Sequence, residues 1–327
     1  MSTPLAPRTL GPTGPTISAI GLGCWQFSLG KGMAGRFWPT LELSTIQDIV
    51  QASLEGGINW FDTAELYGRG ESEKSLAHAL VENRVQPGQV TIATKWWPMA
   101  RGTGHLLSSI NTRSNCLAPY DIDLYQIHQP YALASMRSQM DAMAQLVHEG
   151  KIKQVGVSNF NASQMRLAHK ILAKHGIPLA SNQVKYSLLD RKIERNGVLE
   201  VAKELNITII AYSPLEQGLL TGRFHQDSTD SRPLTGPRKF QSKFRGAAIE
   251  STRNLIETLA SIAEQYGKTV SQIALNWLVS RHGHTVVAIP GASKVYQARD
   301  NAGTLQFSLT ESDLARIDAE SRKVLSM

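Results

Sequence analysis

The chain of 327 residues contains only two cysteines, Cys24 and Cys116, far apart and without partners at metal-ligand spacing. That scarcity excludes a disulfide framework and suits free thiols in a reducing compartment. Long apolar runs are missing as well: none approaches the roughly 18 residues of a membrane span. The stretch STPLAPRTLGPTG after Met1 is polar and turn-rich where a signal segment would be apolar. The expected address is the cytoplasm. Metal-site patterns are lacking, since His282 and His284 are the only close histidine pair and read as a polar turn before a strand. No Walker A sequence occurs. A Rossmann fingerprint begins at Gly21-Leu22-Gly23, with Glu42 downstream, and then fails. Gln26 stands at the third glycine position, and the following run FSLGKGMAGRFWP opens no helix.

Acidic residues are in deficit, with 27 Asp and Glu against 34 Lys and Arg for a net charge of +7. Much of the excess is scattered, but Arg232, Arg238, Lys239, Lys243 and Arg245 cluster around Phe240 and Phe244. The cluster reads as a solvated loop, as a lid over a phosphate-bearing cofactor, or as a nucleic-acid contact, and the compactness of the rest of the chain disfavours the last.

What is present is a long, evenly punctuated chain with 42% hydrophobic residues. Apolar runs of strand length alternate with segments of helical period, the pattern of linked βα units around a parallel sheet. After an N-terminal hairpin in RTLGPTGPTIS, strands are expected at 19–22, 60–62, 90–95, 124–128, 154–158, 181–185, 208–212 and 285–289. Ser72 and Ser163 are candidate helix N-caps, and Gly150 and Gly176 candidate stops. Eight such units predict an α/β fold, a (β/α)8 TIM barrel of the kind that needs about 250 residues, in a single domain spanning 1–327. Two insertions interrupt the cadence: a long loop after the seventh barrel strand, Pro214 to about Ala248, and an extra apolar helix, SQIALNWLVSR, before the eighth. A loop of that length on this rim is expected to act as a lid.

Asp62, Tyr67, Lys95 and His128 each fall at or just beyond the carboxyl end of an expected strand, which a parallel barrel brings onto one rim. Tyrosine ordinarily holds its proton to a pH of about 10, and a neighbouring cation favours ionisation. Lys95 is the obvious cation, Asp62 its counter-charge, and His128 a group that orients a carbonyl oxygen or shares its proton. The chemistry implied is proton donation to a carbonyl. A glycosidase would instead require two facing carboxylates, including Asp62 or Glu65, and would leave Lys95 without a role.

The segments GGINWFDTAELYG, TIATK, LYQIHQP, IKQVGVSNF, SNQVKYSLLDR, AYSPLEQGLLTGRF and VVAIPGASKVYQARDN, in this order, resemble those of the aldo-keto reductase superfamily over essentially the full length. The resemblance implies an NAD(P)H-dependent reductase in which Tyr67 is the general acid, Lys95 and Asp62 tune it, and His128 positions the carbonyl. It further implies a cofactor site. Ser158, Asn159 and Gln183 hold the nicotinamide carboxamide and Tyr212 stacks on the ring, while Ser213, Leu215 and Gly218 approach the pyrophosphate. Gly291, Ser293, Lys294, Gln297 and Asn301 form the adenosine site, and Gly21, Gly23, Cys24 and Trp25 line the rim from the first strand. With Ser293 as helix cap, Lys294 sits at a helix N-terminus, where the macrodipole disfavours a cation unless an anion compensates. A 2'-phosphate is such an anion, so NADPH is the expected cofactor. Pocket walls are expected from Trp25, Phe27, Trp96, Trp97 and Tyr131, with Trp25, Tyr67, Trp96 and His128 touching an apolar or aromatic carbonyl substrate. The expected partner is that small molecule, not nucleic acid or a membrane. The other reading is a nicotinamide-binding regulatory or sensor protein like the potassium-channel beta subunits of the same superfamily.

Overall fold

In the computed structural model, which describes residues 3–225, 241–244 and 246–326, two short antiparallel strands, β1 (Arg8–Thr9) and β2 (Thr16–Ile17), precede eight parallel ones. These are β3 (Leu22–Gly23), β4 (Trp60–Asp62), β5 (Thr91–Trp96), β6 (Leu124–Ile127), β7 (Gln154–Ser158), β8 (Leu179–Lys185), β9 (Thr208–Tyr212) and β10 (Val286–Ala288). Each pairs with its neighbours in chain order. Bridges between Ile20 and Ala288 and between Gly23 and Gly291 join the last strand to the first, so the sheet closes into a (β/α)8 barrel.

Alternation along each strand sorts the side chains into two populations. Trp60, Ala93, Leu124, Ile210 and Val287 point inward and form one cluster with Leu10 and Ile17, which places the hairpin as a plug under the barrel. The Gly11 N–H bonds Thr208 Oγ1 at 2.7 Å and fixes that plug to β9. Phe61, Ile92, Tyr125, Val155, Ile209 and Val286 point outward into the larger core shared with the helices.

Helix boundaries follow local chemistry, though not always through the expected residue. Asn161, not Ser163, caps the helix Ala162–Ala173, and Gln164 completes a capping box. Ser72 lies inside the helix Glu71–Glu82, where its hydroxyl donates to the Cys24 carbonyl at 2.6 Å; the N-cap is Gly70, at φ +93°. Gly150 and Gly176 follow helix ends at positive φ, as stops do. The extra helix before β10 is present at Val270–Ser280, with Thr269 and Gln272 in a second capping box. Of the basic cluster, Arg232, Arg238, Lys239 and Arg245 lie outside the described residues, as does the middle of the expected lid, 226–240. Among the described residues no helix is long and apolar enough to cross a membrane.

Candidate active site

Inward-facing positions at the carboxyl ends of β4, β5 and β6 bring three of the four rim residues together, and the loop after β4 supplies the fourth. Lys95 is fully buried; its ammonium donates to Asp62 Oδ1 and, at 2.8 Å, to the Thr63 carbonyl. The Asp62 carboxylate is itself enclosed, because its Oδ2 accepts from Gln126 Nε2 at 3.0 Å and Gln183 Nε2 at 2.8 Å. The Lys95 ammonium lies 5.0 Å from the centroid of the Tyr67 ring, and the His128 ring meets that of Tyr67 edge-on at 5.8 Å.

The electrostatics separate the roles. Burial would lower the proton affinity of Lys95, but Asp62 and Tyr67 more than offset it and the lysine is held above its usual range, hence charged. For Tyr67 burial acts first and upward; the Lys95 charge and hydrogen bond pull the phenol down without cancelling the rise. The expected net acidification of Tyr67 is therefore corrected: in this state it is protonated and more reluctant than a free tyrosine, while Lys95 limits the penalty. His128 is pushed well below its usual range, first by burial and then by the Lys95 charge. It is a neutral imidazole at physiological pH, and its Nδ1 is buried without a hydrogen-bond partner.

An aromatic wall surrounds this pair. Trp25 stacks on Tyr67 at 5.9 Å and on Phe37 at 4.9 Å, Trp38 meets Trp25 edge-on, and Trp97 meets His128 edge-on at 5.3 Å. Phe37 and Trp38 carry no sequence signal of their own: they lie in FSLGKGMAGRFWP, a run whose only pattern is its departure from the Rossmann fingerprint. Trp96 is displaced from its expected place: β5 runs through it, so alternation sends it outward, where it is fully buried and donates to His105 Nδ1 at 3.1 Å. Phe27 is likewise a core residue, not a pocket wall; Cys24, expected on the rim, is fully buried with its N–H on the Asp62 carbonyl at 2.8 Å, and burial raises its thiol well above its usual range. Tyr131 is exposed on the loop after β6.

Around the other half of the rim the chain offers amides and backbone. Ser158 donates to the Gln183 carbonyl at 2.9 Å, and the Asn159 amide is fixed between the His128 carbonyl and the Tyr212 hydroxyl, which donates to Asn159 Oδ1 at 3.1 Å. Gln183 is buried and commits its Nε2 to Asp62 Oδ2. After β9, Ser213, Glu216 and Gln217 adopt φ of +52°, +47° and +59°, followed by Gly218 at +107°. Left-handed conformations at three non-glycine residues cost about 1 kcal/mol or more each. This strained turn carries Ser213, Leu215 and Gly218, the residues expected at the pyrophosphate, but the Gln217 Oε1 buried there without a partner is an acceptor and offers an anion nothing.

Beyond β10 the helix Val295–Gly303 is capped differently than expected. Lys294 is its N-cap, without a side-chain capping bond, and Ser293 instead donates through N (2.8 Å) and Oγ (3.2 Å) to Gln297 Oε1. Asn301 is buried with Nδ2 3.5 Å from the Gly291 carbonyl. An exposed cation at a helix start, backed by oriented polar groups, fits a phosphate-bearing adenosine.

Known proteins resemble this chain over nearly its whole length. Residues 19–322 match the model of the aldo/keto reductase family. An uncharacterized oxidoreductase of Mycobacterium tuberculosis is 35% identical over 310 residues, 95% of this chain and 88% of that protein. The chloroplastic pyridoxal reductase of Arabidopsis thaliana is 30% identical over 326 residues, covering 96% and 85%. Among solved structures, an aldo/keto reductase from Klebsiella pneumoniae in complex with NADP and acetate superposes with a TM-score of 0.74 at 25% identity, over 96% of this chain and 95% of that one.

Proposed function

The chain belongs to the aldo/keto reductase family and is an oxidoreductase, and from that premise we propose that it reduces an aldehyde or ketone to the alcohol with NADPH, Tyr67 acting as the general acid. The observation that carries this reading is the pairing of a protonated, ammonium-backed Tyr67 with a neutral His128 inside one aromatic recess. NADPH supplies the hydride. His128 offers the carbonyl oxygen a neutral hydrogen bond and so orients it toward the phenol. Tyr67 donates its proton as negative charge develops on that oxygen, and Lys95 stabilises the tyrosinate left behind. Asp62 keeps the lysine charged in a site with little water. A reductase of pyridoxal among the relatives and NADP in a related structure support the carbonyl substrate and the cofactor. The aromatic wall favours apolar or aromatic carbonyl compounds. The cytoplasm is the proposed address, in keeping with two free, buried thiols.

Tyr67→Phe tests the acid. Turnover should fall by about 10²- to 10⁴-fold while NADPH binding, followed by fluorescence, is retained. Near wild-type turnover in that variant would show the acid to be elsewhere. Lys294→Ala tests the cofactor: selectivity for NADPH over NADH should drop by about 1.5 to 3 kcal/mol, the worth of a hydrogen bond to a charged group. Equal affinities for the two cofactors in the wild type would remove the basis for NADPH.

A further inference from the structure

Gln126 belongs to none of the roles above, yet it is fully buried and reaches the reaction centre from below. It lies on β6 opposite Lys95 of β5, two residues before His128 and therefore on the same inward face. Its Nε2 donates to Asp62 Oδ2, and its Oε1 lies 3.4 Å from Gln183 Nε2. The amide orientations follow from chemistry: an ionised carboxylate only accepts, so both glutamines must turn their NH2 groups toward it. The strand on the other side makes room. Gly156 of β7 pairs with Gln126, and a Cβ there would stand 2.9 Å from Gln126 Cγ and 2.4 Å from Ser181 Oγ.

We propose that Gln126 is a positioning residue of the reductase, holding the second oxygen of Asp62 so that the first stays on Lys95 beneath Tyr67. The inference rests on Tyr67 being the acid only for its kinetic consequence, not for the contact itself. Asp62 divides its two oxygens between one ammonium and two amides. Donors on Oδ2 draw charge away from Oδ1, so the ammonium retains more positive potential at the phenol. Loss of the Gln126 donor concentrates the carboxylate charge on Lys95 and weakens what Tyr67 feels. The groups that face Tyr67 are Lys95 and Asp62 below, Cys24 beside them, and His128 and Tyr212 across the recess. Of these, Asp62 and, through it, Lys95 are altered by Gln126.

Two substitutions test this: Gln126→Leu, which removes the donor at similar size, and Gln126→Glu, which adds a carboxyl beside Asp62. The first readout is the ¹⁵Nζ resonance of Lys95, assigned by its loss in Lys95→Met. It should move in Gln126→Leu and further in Gln126→Glu. The second is the pH dependence of kcat/KM for reduction of 4-nitrobenzaldehyde with NADPH. Reduction needs protonated Tyr67, so the rate falls as pH rises, and that basic limb should move upward by about one pH unit in Gln126→Leu. The same variant should lose about tenfold in kcat, as a weaker acid does, with the NADPH dissociation constant within about twofold of wild type. Should Gln126→Leu fail to fold, Gln126→Met removes the same donor. An unchanged Lys95 resonance in a folded variant overturns the proposal. A shifted resonance with an unmoved kinetic limb upholds the contact and overturns Tyr67 as the acid.

Discussion

Two buried ion pairs stand back to back across one strand. In β5, Lys95 turns into the barrel and meets Asp62, while its neighbour Thr94 turns outward and donates from Oγ1 to Glu73 Oε1 at 2.6 Å. Glu73 in turn pairs with Arg113, between the helices Glu71–Glu82 and Thr103–Leu117. Exposure does not distinguish them: the side chains of Lys95 and Asp62 are 0% and 1% exposed, those of Arg113 and Glu73 7% and 0%. Nor does perturbation. Burial outweighs Arg113 and pushes Glu73 up to about 7. What differs is the company: a phenol, a neutral imidazole and a half-open aromatic recess adjoin the first pair, whereas the second is sealed in the helix layer. A perturbed buried ionisable group, Lys95 in the first pair and Glu73 in the second, is therefore a functional sign only when a group that can exchange a proton stands between it and a pocket.

The comparison breaks first, and by the largest margin, at Lys95. Lys95→Met leaves Asp62 buried and unpaired and removes the charge behind Tyr67. We expect a loss of about 3–5 kcal/mol of stability and a fall of about 10²- to 10⁴-fold in kcat. Urea unfolding and steady-state kinetics at neutral pH measure both. A variant that loses stability but keeps its turnover would make this pair as structural as the other.

The next effect belongs to Glu73 and is a matter of pH. Its carboxyl rises in the folded chain from an ordinary 4.5 to about 7, so the folded state keeps a proton that the unfolded state has released. The stability this contributes is full below about 4.5 and is lost as pH rises through about 7, a change on the order of 3 kcal/mol. Glu73→Gln cannot titrate and should lack that slope. Comparing urea midpoints at pH 5 and pH 8, the variant should gain on the wild type toward pH 8. Parallel slopes would mean that Arg113 holds Glu73 ionised throughout, and turnover should stay within about threefold of wild type in any case.

The two pairs were unequally legible in the sequence. Asp62, Lys95 and His128 could be read because strand ends in a parallel barrel share a rim, and an ionisable residue ending an apolar run is conspicuous. Glu73 and Arg113 sit on amphipathic helices, where a charge looks like solvent-facing surface; only the three-dimensional packing turns them toward each other. Gln126 leaves a fainter trace, a polar residue inside LYQIH in phase with His128, and only its contact with Asp62 in the structure gives it a role. Trp96 shows the cost of a boundary error, since one more residue in β5 moves a tryptophan from the pocket to the core. The caps follow the same rule: Ser163 is an acceptable cap by type, but the cap is Asn161, whose capping box with Gln164 fixes the helix start two residues earlier.

The smallest effect is also the most discriminating, because it is made one residue from Lys95. Thr94→Val keeps the shape and removes the hydroxyl that donates to Glu73. That bond lowers the Glu73 carboxyl, so its loss should raise it further. Stability should then fall by about 1 to 2 kcal/mol at pH 8, where Glu73 is mostly ionised and needs the donor. At pH 5, where the carboxyl carries its own proton, the cost should be smaller. Because alternation sends the side chain away from the barrel interior, kcat should remain within about twofold of wild type. A tenfold loss of kcat at unchanged stability would mean that the outward pair acts on Lys95 through the backbone of β5, and the division between a structural and a catalytic face would no longer hold.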